Sequence, residues 1–153
     1  MYNRGVKIFL ASDHAVFELK HKLSEYLLAK GHEVEDMGPT RLNPADDYPD
    51  YIGPCAHKVA QTHESMGIIA GLSGQGEAMA ANRVRGVRAV VYYGGPQEIL
   101  KLSRQHNDAN MLSFGARFVT AEEACKAAEL WLSTHFEHDE RHQRRIQKMD
   151  HGN

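Results

Sequence analysis

Short apolar runs alternate along the chain with longer segments whose apolar side chains recur every three or four residues. Val6 to Ala11 is an apolar-rich run of strand length, and Ala15 to Lys30 places Phe17, Leu19, Leu23, Tyr26 and Leu27 on or near one helical face. Gly31 ends that helix, because glycine adopts the left-handed conformation that a helix C-terminus often needs. His32 to Asp36 reads as a second strand. Gly38 to Pro49, rich in Pro, Asn and Asp, reads as a surface loop. The alternation continues with a helix over Tyr51 to Thr62, a strand over Met66 to Gly71 and a helix starting at Glu77 to Asn82. A strand then covers Arg88 to Tyr92, a helix Pro96 to Gln105, a strand Asn110 to Phe114 and a helix Ala121 to Thr134. Thr120 and Glu123 are spaced as a capping box, which fixes the start of that helix. A last helix is expected from about Asp139 to Met149.

Five strand–helix units with strands too apolar to be half exposed predict an α/β fold, a parallel sheet covered by helices on both faces. The 153 residues suit one domain over 1–153, with no internal repeat or linker. A net charge of −2 argues against nucleic acid as the main partner, since a phosphate backbone is met by a basic excess. No apolar run approaches the ~20 residues a membrane span needs. Cys55 and Cys125 are too far apart for a metal-ligand motif and read as buried free thiols of a cytoplasmic protein. The ten histidines form no convincing ligand pair, so no metal and no cofactor are expected.

In an open α/β sheet, ligands bind beyond the carboxyl ends of the strands. Ser12, Asp13 and His14 follow the first strand, Leu72 to Glu77 the third, and Gly115, Ala116 and Arg117 the fifth. In the third loop, Gly74 and Gly76 let the backbone turn tightly and present N–H donors to a phosphate or a reacting oxyanion. The loop is no Walker A motif, and Met79 stands where a dinucleotide fingerprint needs its third glycine. A purely structural strand-to-helix turn is the competing reading. Glu77 favours chemistry: enolisation needs a base for a carbon-bound proton beside donors for the enediolate oxygen. Asp13 can cap the first helix without losing a functional role. His106 lies near a helix C-terminus, where the dipole favours an imidazolium able to donate a proton. Arg141 and Arg145 share a helix face, either as solvated charge or as a phosphate clamp.

Jointly, these residues resemble the ribose-5-phosphate isomerase B family, which also contains galactose-6-phosphate and allose-6-phosphate isomerases. The motifs are Ser12-Asp13-His14-Ala15, Gly31-His32-Glu33, Asp47-Tyr48-Pro49, Ser73-Gly74-Gln75-Gly76-Glu77 with Ala80-Ala81-Asn82-Arg83, His106-Asn107-Asp108-Ala109, Gly115-Ala116-Arg117 and Arg141-His142-Gln143-Arg144-Arg145. The resemblance implies a three-layer α/β/α sandwich, Rossmann-like, with a five-stranded parallel sheet. It implies metal-free isomerisation of a sugar phosphate, ribose 5-phosphate foremost, through a cis-enediol(ate). One branch uses a cysteine base at the position of Gly71. This chain resembles the branch with a glutamate base, at Glu77. His106 matches the ring-opening residue, assisted by Asp13, while Tyr48 and Asn107 match positions near the sugar hydroxyls. Residues 72 to 76 (Leu72, Ser73, Gly74, Gln75, Gly76) match the enediolate-holding loop, with Ser73 its hydroxyl-bearing position. Arg117, Arg141 and Arg145 match phosphate-side residues, with His14 close by. The resemblance further implies a homodimer or homotetramer whose sites combine loop and Glu77 from one subunit with His106 and Asn107 from another, the terminal helix reaching its neighbour. Leu72 and Val16 stand where the family usually has glycine. The alternatives are isomerisation of allose, galactose or tetrose phosphate, and phosphosugar binding without turnover.

Overall fold

A computed structural model describes residues 5–152. Five strands, β1 (Lys7–Ser12), β2 (Glu33–Asp36), β3 (Ser65–Gly71), β4 (Ala89–Tyr92) and β5 (Met111–Gly115), form one parallel sheet in the order β2-β1-β3-β5-β4. Six helices accompany them: α1 (Phe17–Ala29), α2 (Pro49–Gln61), α3 (Gln75–Ala81), α4 (Glu98–Gln105), α5 (Ala121–Ser133) and α6 (Glu140–His151).

Alternation along each strand divides the core in two. Ile8, Leu10, Ile68, Ala70, Leu112 and Phe114 face the layer that holds α1, α4 and α5, where Leu23, Leu27, Leu100 and Trp131 are buried. Phe9, Ala11, Ile69 and Met111 face α2 and α3, against Ile52, Cys55, Val59 and Ala81. The sheet is therefore the middle of three layers, as expected.

Two local expectations need correction. β2 is not a buried apolar strand: its sequence EVED is exposed or half-exposed throughout. Among the described residues it pairs only with β1, and charged residues on an edge strand block further pairing. The first helix is also shorter than its periodicity suggests, because His14–Val16 forms a 3-10 turn before α1 begins at Phe17. Asp13 caps that turn, its Oδ1 accepting from the Ala15 N–H at 2.5 Å. Gly31, at φ +88°, ends α1: its N–H donates to the Leu28 carbonyl and that of His32 to Leu27.

Lys20 ties α1 to the loop after β2. It is fully buried, its Nζ 2.7 Å from Asp36 Oδ1 and 2.5 Å from the Pro39 carbonyl. The loop after β2 in turn reaches the carboxyl edge of the sheet, where the Ser12 N–H donates to the Gly38 carbonyl at 3.1 Å.

Candidate active site

From β1 the chain winds to one side of the sheet and from β3 to the other, so the crevice at their carboxyl ends is the topological switch point. The Asp13 N–H donates to the Ala70 carbonyl across it at 3.0 Å, holding the loop after β1 against that after β3. The loop after β5 closes the other side. The N–H groups of Ala116 and Arg117 donate to the carbonyls of Gly71 and Leu72 at 2.9 and 3.0 Å.

Between them, residues 72–74 turn sharply into α3. Gly74 has φ +75°, and a Cβ there would press on the backbone of Phe114 and Gly115 at 2.9 to 3.0 Å. The Ser113 hydroxyl donates to the Gly74 carbonyl at 2.7 Å and fixes the turn from below. The Ser73 hydroxyl accepts from the Gln75 N–H at 3.3 Å. α3 starts two residues ahead of Glu77, which puts Glu77 in its first turn.

Glu77 is only 4% exposed. Burial pushes its carboxyl above the ordinary 4.5, its own backbone N–H partly offsets this, and the negative charge of Asp13 adds to the rise. The carboxylate lies directly over Gly71, where any Cβ would collide with it. In the same way, a Cβ on Gly76 would collide with the Tyr48 hydroxyl, so the missing side chain lets the tyrosine lie against the loop. Asp13, Tyr48, Ser73, Gly74, Gln75, Gly76 and Glu77 thus gather at one place. Leu72, half exposed, stands at its rim, and Arg117 stands exposed beside it.

His14 joins this group with a partner that no motif or periodicity marks. Its Nδ1 lies 2.6 Å from Oδ1 of Asp46, whose side chain is 5% exposed. Among the described residues, the second oxygen, Oδ2, is buried and has no hydrogen-bond partner. Asp46 sits in an irregular Asn-Pro-Ala-Asp-Asp stretch, where no periodicity marks one aspartate over another.

The remaining predicted residues are elsewhere. His106 caps the C-terminus of α4, and Asn107 follows it just before β5 begins. Both therefore lie at the amino edge of the sheet, a strand length of roughly 16 Å from the loop above Gly115. α6 packs at that same edge: the His142 ring stacks on His106 with centroids 4.3 Å apart and planes 17° apart. Arg88 Nη1 pairs with Asp150 at 3.1 Å, while its Nε donates to the Asn107 carbonyl. Arg141 and Arg145 are exposed on α6. A cleft of about 490 Å³ opens here, lined by Arg83, Arg85, Arg88, Asn107 and Met149 among others. A second cleft, of about 600 Å³, lies between α1 and α5. Neither covers the Gly-rich loop.

Two members of the amino-edge group carried no role in the sequence reading. Glu137 and His142 bring side-chain donor atoms within 4.8 Å of each other and of a His106 nitrogen. His142 had one usable signal, its spacing of four from Ile146 and seven from Met149 on a mostly polar helix.

The family description Ribose/Galactose Isomerase matches residues 8–149. The chain is 37% identical to ribose-5-phosphate isomerase B of Mycobacterium tuberculosis over 142 residues, 93% of this chain and 86% of that one. A crystal structure of a ribose 5-phosphate isomerase from Thermotoga maritima superimposes with a TM-score of 0.87 at 43% identity, covering 95% of this chain and 97% of that chain. The enzyme from Mycoplasma genitalium, crystallised with bound ribulose-5-phosphate, gives a TM-score of 0.89 at 40% identity, covering 96% and 95%.

Proposed function

The chain belongs to the ribose/galactose isomerase family, and from that premise we propose that it interconverts ribose 5-phosphate and ribulose 5-phosphate through a cis-enediolate. Glu77 carries this reading. A buried carboxylate with a raised pKa, set under a glycine-rich turn at the switch point, is a base positioned beside oxyanion donors.

In the forward direction Glu77 takes the proton from C2 of the open-chain aldose, and the electrons move onto the C1 oxygen as the enediolate forms. Backbone N–H groups of the 72–76 loop hold the developing charge, with the Ser73 hydroxyl at the same oxygens. Returning the proton from Glu77 to C1, with a proton passing from O2 to O1, gives the ketose. No atom is gained or lost. Before that step the furanose ring must open. His106 protonates the ring oxygen while the C1 hydroxyl loses its proton, a transfer that Asp13 assists. Tyr48 and Asn107 bind sugar hydroxyls. His14, Arg117, Arg141 and Arg145 hold the phosphate, the guanidinium groups in the bidentate manner that suits them.

His106, Asn107, Arg141 and Arg145 lie at the edge opposite Glu77, so this assignment needs a second copy of the chain. A homodimer, alone or doubled into a tetramer, would bring the amino edge of one copy to the loop of the other. The two buried free thiols suit a cytoplasmic setting; burial pushes that of Cys55 up to about 12 and leaves it unreactive.

The test is proton exchange. In D2O the protein should introduce deuterium at C1 of ribulose 5-phosphate and C2 of ribose 5-phosphate while interconverting them. Binding with no exchange would make it a phosphosugar-binding protein. Among ribose, allose, galactose and erythrose phosphates, ribose 5-phosphate should give the highest kcat/KM. A tenfold preference for another sugar would keep the reaction and change the substrate.

A further inference from the structure

α6 is an almost wholly polar helix with a single buried residue, His142 at 7% exposure. A 12-residue helix is marginal by itself, so its position depends on what docks it. Asp139 caps its start through the Arg141 N–H at 2.9 Å, and two contacts dock it: Asp150 pairs with Arg88 near its end, and the His142 ring stacks on His106. The segment leading into α6 is held to α4 as well. The Glu137 N–H donates to the Gln105 carbonyl at 3.2 Å, and Arg104 Nε donates to the Thr134 carbonyl at 3.1 Å.

One contact therefore joins two groups that the reaction uses at different times. The stack fixes the plane of His106, and so the direction of the ring edge it offers to a furanose oxygen. It also fixes the register of α6, on which Arg141 and Arg145 sit one residue before and three after His142. The Glu137 carboxylate, close to both rings, can accept a hydrogen bond from an imidazole N–H and select its tautomer. The near-parallel planes make this a packed pair rather than a chelate, because lone pairs lying in parallel ring planes do not converge on one ion.

We propose that His142 is a positioning residue: its stack on His106 aligns the ring-opening group and the phosphate arginines as one unit. This rests on the isomerase reading above. The chemistry of the two sugars supplies a way to test it. Ribose 5-phosphate must be opened, whereas ribulose 5-phosphate, with O5 phosphorylated, cannot close a furanose on C2 and presents its carbonyl directly.

The experiment compares wild type, His142→Ala, His142→Phe and His106→Ala, each shown folded by circular dichroism. It measures turnover of ribose 5-phosphate and deuterium exchange into ribulose 5-phosphate. His142→Ala should lose about 10²-fold in kcat for ribose 5-phosphate, the scale expected when a group is misplaced by an ångström. It should raise KM for both sugars, through the arginines, and lower the maximal exchange rate of ribulose 5-phosphate far less. His142→Phe, which keeps a flat ring to stack, should recover most of the loss. His106→Ala, which removes the other ring of the same stack, should share both the ring-opening defect and the raised KM. Wild-type kinetics in His142→Ala would overturn the proposal, as would a His142→Phe variant no better than His142→Ala. Absence of exchange in the wild type would instead remove the isomerase reading itself, and this proposal with it.

Discussion

Glu77 and Gly71 compete for the same space. A Cβ at position 71 falls on the Glu77 carboxylate, so a side chain at the end of β3 and a buried glutamate in this pose exclude each other. This gives a physical reason for the two alternative bases inferred from the resemblance, one at each position. Gly71→Ala should therefore displace the carboxylate and cut kcat by about 10²-fold, with little change in KM, because the phosphate contacts are remote. A variant with wild-type kcat would show that Glu77 has another productive pose. Glu77→Gln should lose roughly 10²–10⁴-fold in kcat, the usual worth of a positioned base. The same substitution should stabilise the fold, by an amount that depends on pH. A carboxyl whose folded pKa is raised lets stability fall as pH climbs from its unfolded value, about 4.5, through its folded value. Gln carries no such penalty. The Tm advantage of Glu77→Gln should thus be smallest below pH 4.5 and widen toward neutrality, as followed by thermal denaturation in a pH series. The rising limb of kcat/KM in the wild type should likewise lie above the ordinary carboxylate range. An advantage that shrinks with rising pH would contradict the burial argument.

The elements were legible wherever one local rule decided them. Thr120 and Glu123 form the reciprocal capping box expected from their spacing, the Thr120 hydroxyl accepting from the Glu123 N–H and the Glu123 carboxylate from the Thr120 N–H. Thr120→Ala should cost about 1 kcal/mol in urea unfolding without changing activity, the usual worth of an N-cap. No measurable shift would mean that α5 is held by Trp131 and its neighbours alone. Elements were less legible where tertiary placement decided them. The exposure of β2 follows from its place at an edge, and the position of β4 outside β5 follows from sheet order, neither of which periodicity reports. Lys20 falls on the helical face that packs inward and is buried there because Asp36 and Pro39, from another element, receive its charge. The loop residues of the site were readable because a carboxylate, Glu77, follows the glycines directly at the carboxyl end of a strand, where ligands bind. Asp46 and Glu137 were not, and His142 only by its helical spacing from Ile146, since each gains its meaning from the side chain that it meets in space.

At the scale of the molecule, the proposed site residues divide into two sets at opposite edges of the sheet, and under that assignment a single copy leaves each set incomplete. Asp13, Tyr48 and Glu77 lie at the carboxyl edge; His106, Asn107 and the arginines of α6 lie at the amino edge. If two copies complete each other, a variant lacking the base and a variant lacking the ring-opening group must each be inactive alone yet active together. In a mixed dimer of Glu77→Gln and His106→Ala subunits, one site collects both defects and the other collects neither. With random exchange half of the dimers are mixed and each has one intact site, so activity should return to about a quarter of wild type. Mixing the purified variants after brief dissociation, then assaying ribose 5-phosphate turnover against unmixed controls, measures this directly. A mixture as inactive as its parts, with subunit exchange demonstrated by mass, would mean that each chain closes its own site. The amino-edge residues would then have to reach Glu77 by a rearrangement of the loop before β5 and of α6, breaking the His106–His142 stack and the Arg88–Asp150 pair.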